Sequence, residues 1–186
     1  LFLPLVLIGW YLLNYFKKYE AAKLFLAGMS LWFYGYFNKY YLTIIVFSIL
    51  GNYLLSYLMK FSKTKLTARL GLIAGILFNL GFLFYFKYYD FFIENVNAVM
   101  KKHFPLLNLM LPLGISFYTF QQLSYVIDAY KGECENYSFL EYAAYVSYFP
   151  QLIAGPIVYH SELIPQFRDP ENRRLHFTNL SRGLYA

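Results

Sequence analysis

Charge is scarce in this chain. Of its 186 residues only 14% are Asp, Glu, Lys or Arg, whereas 59% are hydrophobic and 23% aromatic. A soluble globular domain carries about 25% charged residues, so the deficit points to lipid as the solvent. Cysteine is scarcer still. Cys134 stands alone, which excludes an intrachain disulfide and a metal site built from several cysteines of this chain. The net charge of +6 comes without zinc-finger spacing, an exposed basic helix or another recognised reader motif, so a nucleic-acid partner is not expected. No charged segment precedes the first apolar run, Leu1 to Tyr15, so this run is not read as a cleaved signal peptide. An initiator methionine is also missing, and Gly183-Leu184-Tyr185-Ala186 reads as the start of another apolar run; a piece of a longer protein is expected.

What the chain does have is a series of uncharged runs separated by short aromatic and basic clusters. Leu1 to Phe16 ends in Tyr15-Phe16-Lys17-Lys18-Tyr19-Glu20, residue types that gather at a headgroup boundary. Leu24 to Asn38 is short for a crossing, although the aromatic belt Phe33 to Phe37 extends it. Tyr41 to Met59 has no charge at all and is followed by Lys60, Lys63, Lys65 and Arg69. Leu70 to Phe86 ends in a second aromatic and basic cluster, and Phe91 to His103 reads as an amphipathic helix on the surface. Phe104 to Ile127 is long enough to enter the bilayer, bend at Pro112 and cross, and Tyr142 to Tyr159 is again uncharged. Ser161 to Arg182 is polar and reads as a loop or surface helix. The expected fold class is all-α: a polytopic integral membrane protein with five to six membrane-embedded helices, one of them bent or re-entrant, plus amphipathic surface helices. Lysines and arginines crowd the base of the hairpin made by the second and third runs, and its tip has only Lys39. The positive-inside rule puts that base in the cytoplasm.

Leu111 to Phe167 combines apolar length with features that lipid penalises. Gly114, Phe117, Gln121, Ser124 and Asp128 recur at three and four residues and so share one helix face. An ionised Asp at the bilayer centre costs about 2.5–3.5 kcal/mol, so this stripe is expected to face protein or water. Interhelical hydrogen bonding would explain it without any chemistry. Pro150 and Pro156 lack an N–H, and in a continuous helix they would strand the carbonyls of Val146 and Leu152. A bent segment lining a cavity accommodates them, with Gln151 and Gly155 adding a polar side chain and a close backbone approach. A simple proline kink is the alternative.

Three ordered motifs then carry a resemblance: Leu111-Pro112-Leu113-Gly114-Ile115-Ser116-Phe117-Tyr118-Thr119-Phe120-Gln121; Asp128-Ala129-Tyr130-Lys131-Gly132; and Tyr148-Phe149-Pro150-Gln151-Leu152-Ile153-Ala154-Gly155-Pro156-Ile157, followed by Pro165-Gln166-Phe167. Together they resemble the membrane-bound O-acyltransferase (MBOAT) family, in particular its bacterial alginate and peptidoglycan O-acetyltransferase branch. The resemblance implies a multi-pass enzyme of the bacterial cytoplasmic membrane that passes an acyl group, usually acetyl, to a polysaccharide hydroxyl or a partner protein. Residues 1–186 would be the amino-terminal part of a larger domain of that type, with 1–92 its first helices and 104–167 its motif region.

The resemblance also implies a catalytic histidine in an apolar helix beyond these motifs. His103, His160 and His176 lie beside polar residues and are read as interfacial, so no catalytic residue is expected in this chain. Ser116 and Ser124 lack a neighbouring base and are weak nucleophile candidates. Pro112, Gln121, Asp128, Pro150, Gln151, Gly155 and Pro156 are expected to shape the wall of a reaction tunnel. No bound cofactor is expected. The acyl donor, such as acetyl-CoA or an acyl-carrier species, is a substrate, and the expected partners are membrane lipid and a polysaccharide or an extracytoplasmic acyltransferase protein. A multi-pass transporter or channel, or a noncatalytic scaffold of a polysaccharide export complex, remains the competing class.

Overall fold

Asn38 alone separates two long helices. It adopts an extended conformation that ends α2 (Tyr19–Phe37), and its side chain accepts the Tyr40 N–H at 2.8 Å to start α3 (Lys39–Lys60). Asn is favoured as an N-cap because its side-chain oxygen satisfies an orphan donor of the first turn. The one-residue link makes α2 and α3 antiparallel neighbours, so the Tyr19 end of one lies at the level of the Lys60 end of the other. Thr64 caps α4 (Lys65–Leu83) in the same way. The computed structural model describes residues 2–152, 158–176, 178 and 181, and among these the regular structure is entirely helical.

α1 (Phe2–Tyr15) packs on α2, α4 packs on α3, and α6 (Ile115–Lys131) lies against both α3 and α4. α7 (Phe139–Ser147) rests on α2 and α3, and α9 (His160–Arg168) on α7. Close helix approach needs small residues: a Cβ at Gly75 of α4 would meet Val126 Cγ1 of α6 at 2.7 Å. Two helical runs, Lys39–Lys60 and Lys65–Met100, are long and apolar enough to cross a membrane. Only 33% and 17% of their most apolar windows are buried within the protein, so they are not core helices of the water-soluble kind. Leu50, Leu54, Leu58, Leu70 and Leu77 are among the exposed side chains.

Two expectations about the elements are corrected. The helix does not stop at Phe86. A π-helical turn at Phe84–Tyr88 joins α4 to α5 (Tyr89–Met100), giving one run to Met100 that ends where Lys101 turns left-handed, φ 51°. No proline or glycine interrupts residues 82–100, and the wider turn absorbs the bulky aromatic sequence without a break. None of the residues of α5 is buried. Second, no helix enters before Pro112: residues 102–112 are irregular. Side chains of α5 hold this stretch, since Asp90 accepts the N–H groups of Leu107 and Asn108 (2.8 and 2.9 Å) and Asn97 bonds both backbone groups of Phe104 (2.7 and 3.0 Å). Those bonds replace ladder partners that Pro105 and Pro112 forbid.

At the centre, polar side chains join four helices. Asn52 of α3 donates to Gln122 Oε1 of α6 (2.7 Å) and bonds Asn79 of α4, Gln122 Nε2 donates to Ser48 Oγ (3.0 Å), and Tyr142 of α7 donates to Gln122 Oε1 at 3.3 Å. Gln122 and Asn52 are fully buried. Replacing Gln122 with Leu removes the shared partner and is expected to destabilise the protein by about 1–2 kcal/mol, read as a lower Tm of the purified full-length protein in detergent. An unchanged Tm would show that the network contributes nothing.

Candidate functional site

The first motif opens α6, and the second, Asp128 to Gly132, closes it at the Lys131 end. Gly132 ends that helix in a left-handed conformation, φ 79°, which turns the chain back along α6. The following loop runs to Ser138, whose side chain and backbone form a reciprocal capping box with Glu141 at the start of α7. α7 then stops at Tyr148, and Pro150 sits in the single turn α8 (Phe149–Leu152), so the chain breaks just before the proline. This agrees with the expected broken segment and not with a kinked continuous helix.

His160, the first residue of α9, is brought against the end of α6. Its Nε2 lies 2.9 Å from Asp128 Oδ2, and its Nδ1 lies 3.4 Å from the Tyr137 hydroxyl. Edges of Tyr125, Tyr137 and Tyr145 enclose the ring, and His160 is 2% exposed. The reading of His160 as interfacial is therefore corrected: it is a buried, doubly partnered histidine. His103 is exposed, and His176 lies 3.3 Å from Glu171 in a polar segment. With both nitrogens engaged, His160 is built to hold α6, the loop and α9 in register. Cys134 Sγ approaches the same imidazole at 3.8 Å. Burial, reinforced by Asp128 and Glu133, pushes its thiol up to about 12, so it stays protonated near neutrality and is a poor nucleophile.

A second cluster adjoins this one. Arg168 at the end of α9 grips Glu141 with two nitrogens, at 2.9 and 2.8 Å, while Nη1 reaches Glu135 at 3.1 Å and Nη2 the Asn136 carbonyl at 3.0 Å. Lys23 of α2 joins the same carboxylate at 3.0 Å and pairs with Glu20 at 2.9 Å. The Arg168 guanidinium holds the Glu141 carboxyl well below the usual carboxylate range; burial opposes this, and the Ser138 N–H and Lys23 reinforce it. A planar fork on a buried carboxylate is the geometry for which Arg is suited.

The residues expected to support a tunnel do not form one constellation. Pro112 is buried at the start of α6, with its carbonyl accepting the Ile115 N–H, and Asp128 lies near the other end, about 20 Å away by helical rise. Gln121 is buried on α6, but the face that is fully enclosed runs through Tyr118, Gln122 and Val126, beside the predicted stripe; Phe117 of that stripe is exposed. Ser124 approaches Asp128 at 3.4 Å, and Ser116 accepts from Lys87 at 3.0 Å. Pro150 lines a cavity of about 200 Å³ between α1 and α9, with Trp10, Tyr148, Phe167 and Gln166 among its walls. Gln151 is buried. Gly155 and Pro156 lie outside the described residues. His160, Glu141, Arg168 and Lys23 went unread as site residues. The Ser-x-x-Glu spacing at 138–141 marks a helix start, but no local signal announces that its Glu pairs across the fold.

An all-helical bundle with two helical runs long and apolar enough to cross a membrane is consistent with a membrane protein, and sequence comparison places it. The family model "membrane-bound O-acyltransferase family" matches residues 2–186, and the chain belongs to that family. It is 40% identical over 210 residues to a peptidoglycan O-acetyltransferase of Helicobacter pylori, a match covering 99% of this chain and 40% of the relative. A probable alginate O-acetylase AlgI of Pseudomonas aeruginosa is 34% identical over 182 residues, covering 95% of this chain and 34% of that protein. One from Azotobacter vinelandii is 33% identical over 182 residues, covering 95% and 35%. The chain thus spans about two-fifths or less of the length of these relatives. No solved structure matches it.

Proposed function

We propose that the protein to which this chain belongs transfers an acyl group, acetyl in the simplest case, to hydroxyls of a cell-surface or exported polysaccharide. The observation that carries this reading is the match along 99% of the chain to a peptidoglycan O-acetyltransferase, with alginate O-acetylases aligned over nearly the same residues. The protein is a multi-pass component of the bacterial cytoplasmic membrane with five to six membrane-embedded helices in this part, and residues 1–186 are the amino-terminal portion of the family domain. The acceptor hydroxyl attacks the carbonyl of an activated acyl donor, acetyl-CoA or an acyl-carrier thioester. Its proton passes to a base as the thiolate leaves. We assign that base to a histidine outside these residues, a reading supported by His160 being 2% exposed and held between Asp128 and Tyr137. An extracytoplasmic acyltransferase partner receives the group where the polymer is not reached directly.

Within this scheme Asp128, Pro112, Gln121, Pro150, Gln151, Gly155 and Pro156 position helices and do not make bonds. Asp128→Ala and Pro150→Ala in the full-length protein are expected to lower the ester content of the surface polymer by roughly tenfold, since small misplacements distant from the chemistry act on this scale. The check is ester release by mild alkali at matched protein level. An unchanged ester count in both variants removes the positioning role, and an unchanged count on deleting the whole gene removes the acyltransferase reading.

A further inference from the structure

A cavity of about 540 Å³ opens beside the α1–α2 turn, walled by Tyr11, Asn14, Tyr15 and Tyr19 and by Lys17, Arg173 and Arg174. Three cations face one cavity; of the nearby carboxylates, Glu20 pairs with Lys23, Glu171 lies 3.3 Å from His176, and Asp169 accepts the Glu171 N–H. Among the described residues no ion pair reaches Lys17, Arg173 or Arg174. Arg173 is held in place by stacking over the Tyr19 ring, 4.3 Å from its centroid. Asn14 is 6% exposed, donates to the Trp10 carbonyl, and has an Oδ1 with no donor among the described residues. The three cations and the stacked Arg173 make a preformed anion site.

Its position selects the kind of anion. Tyr15 and Phe16 at the turn are 81% and 61% exposed, and Leu175 at the wall is 46% exposed. The same level carries Lys60 at the end of α3, Lys63 in the loop and Lys65 at the start of α4. Exposed aromatic and basic side chains together mark the headgroup zone. A soluble phosphate would use the cations and leave the apolar rim in water, whereas a lipid uses both.

We propose that this cavity binds the headgroup of an anionic phospholipid, its phosphodiester against Lys17, Arg173 and Arg174 and its acyl chains along the exposed apolar rim. The proposal rests on the membrane setting and not on the acyltransfer reading. The test is lipid binding by the full-length protein in detergent, followed by native mass spectrometry with phosphatidylglycerol and phosphatidylcholine. The wild type is expected to retain one phosphatidylglycerol in preference to phosphatidylcholine, and Arg173→Gln combined with Arg174→Gln to weaken it roughly 30-fold, the effect of two basic residues at a membrane surface. Lys63→Gln with Lys65→Gln, outside the cavity, should keep the preference, and glycerol phosphate in excess should not displace the lipid. Retention of the preference by the double arginine variant at an unchanged elution profile overturns the site. Equal loss in the lysine variant, or displacement by glycerol phosphate, overturns it as well.

Discussion

Glu141→Gln is expected to lower the stability of the full-length protein by about 3 kcal/mol, the lower end of the range for breaking a buried ion pair. The lower end applies because neither cation is left entirely alone. Arg168 keeps Glu135 and the Asn136 carbonyl, and Lys23 keeps Glu20. The loss is still large because the Glu141 side chain is 5% exposed and that of Lys23 9%, so the buried Lys23 is left with only Glu20, whose side chain is 75% exposed. The same carboxylate predicts a pH dependence. Its folded-state value is depressed, so its contribution is complete above the ordinary carboxylate value of 4.5 and is lost as pH falls below that toward the folded value. Thermal unfolding in detergent between pH 7 and about pH 3 is expected to show wild-type stability falling in the acid range more steeply than that of Glu141→Gln. Parallel curves would mean that the carboxylate contributes no pH-dependent stability.

The second large effect is expected at the Asp128–His160 pair. His160→Leu removes the donor to Asp128 at 2.9 Å and the partner of Tyr137, leaving the carboxylate only a long contact from Ser124 at 3.4 Å. A cost of about 2–3 kcal/mol follows from stranding a partly buried charge and a hydroxyl. The informative experiment is the cycle of His160→Leu, Asp128→Asn and the double variant. If the two residues form one pin, the double variant is destabilised less than the sum of the singles by about 1 kcal/mol or more. Additive losses would show two independent contributions and remove the pin. Ester content should follow stability in this series, because the pair positions helices and does not touch the reacting atoms.

Much of this protein could be read one helix at a time. Apolar run length and the clusters at 15–20 and 60–69 determined the long apolar helices, because the hydrophobic requirement of a span acts on consecutive residues. Pro150 announced the break after α7 for an equally local reason, since a residue without an N–H cannot continue a ladder wherever it sits. The irregular stretch 102–112 was misread as helix because apolar composition does not distinguish a span from a segment whose backbone is satisfied by Asp90 and Asn97. The polar stripe of α6 was placed one position from the enclosed face for a related reason: periodicity defines a face, but which face is buried depends on α3, α4 and α7.

Site residues divide along the same line. The three motifs and their order were determined by the sequence and sufficed to indicate the family. That His160 is buried against Asp128, or that Arg168, Lys23 and Glu141 share one carboxylate, was decided only by the tertiary structure. The partners stand 32, 27 and 118 residues apart, and isolated in sequence each is an ordinary charged residue near a helix end. Charge pairing is a property of distance in space, and that distance exists only once α2, α6, α7 and α9 have packed.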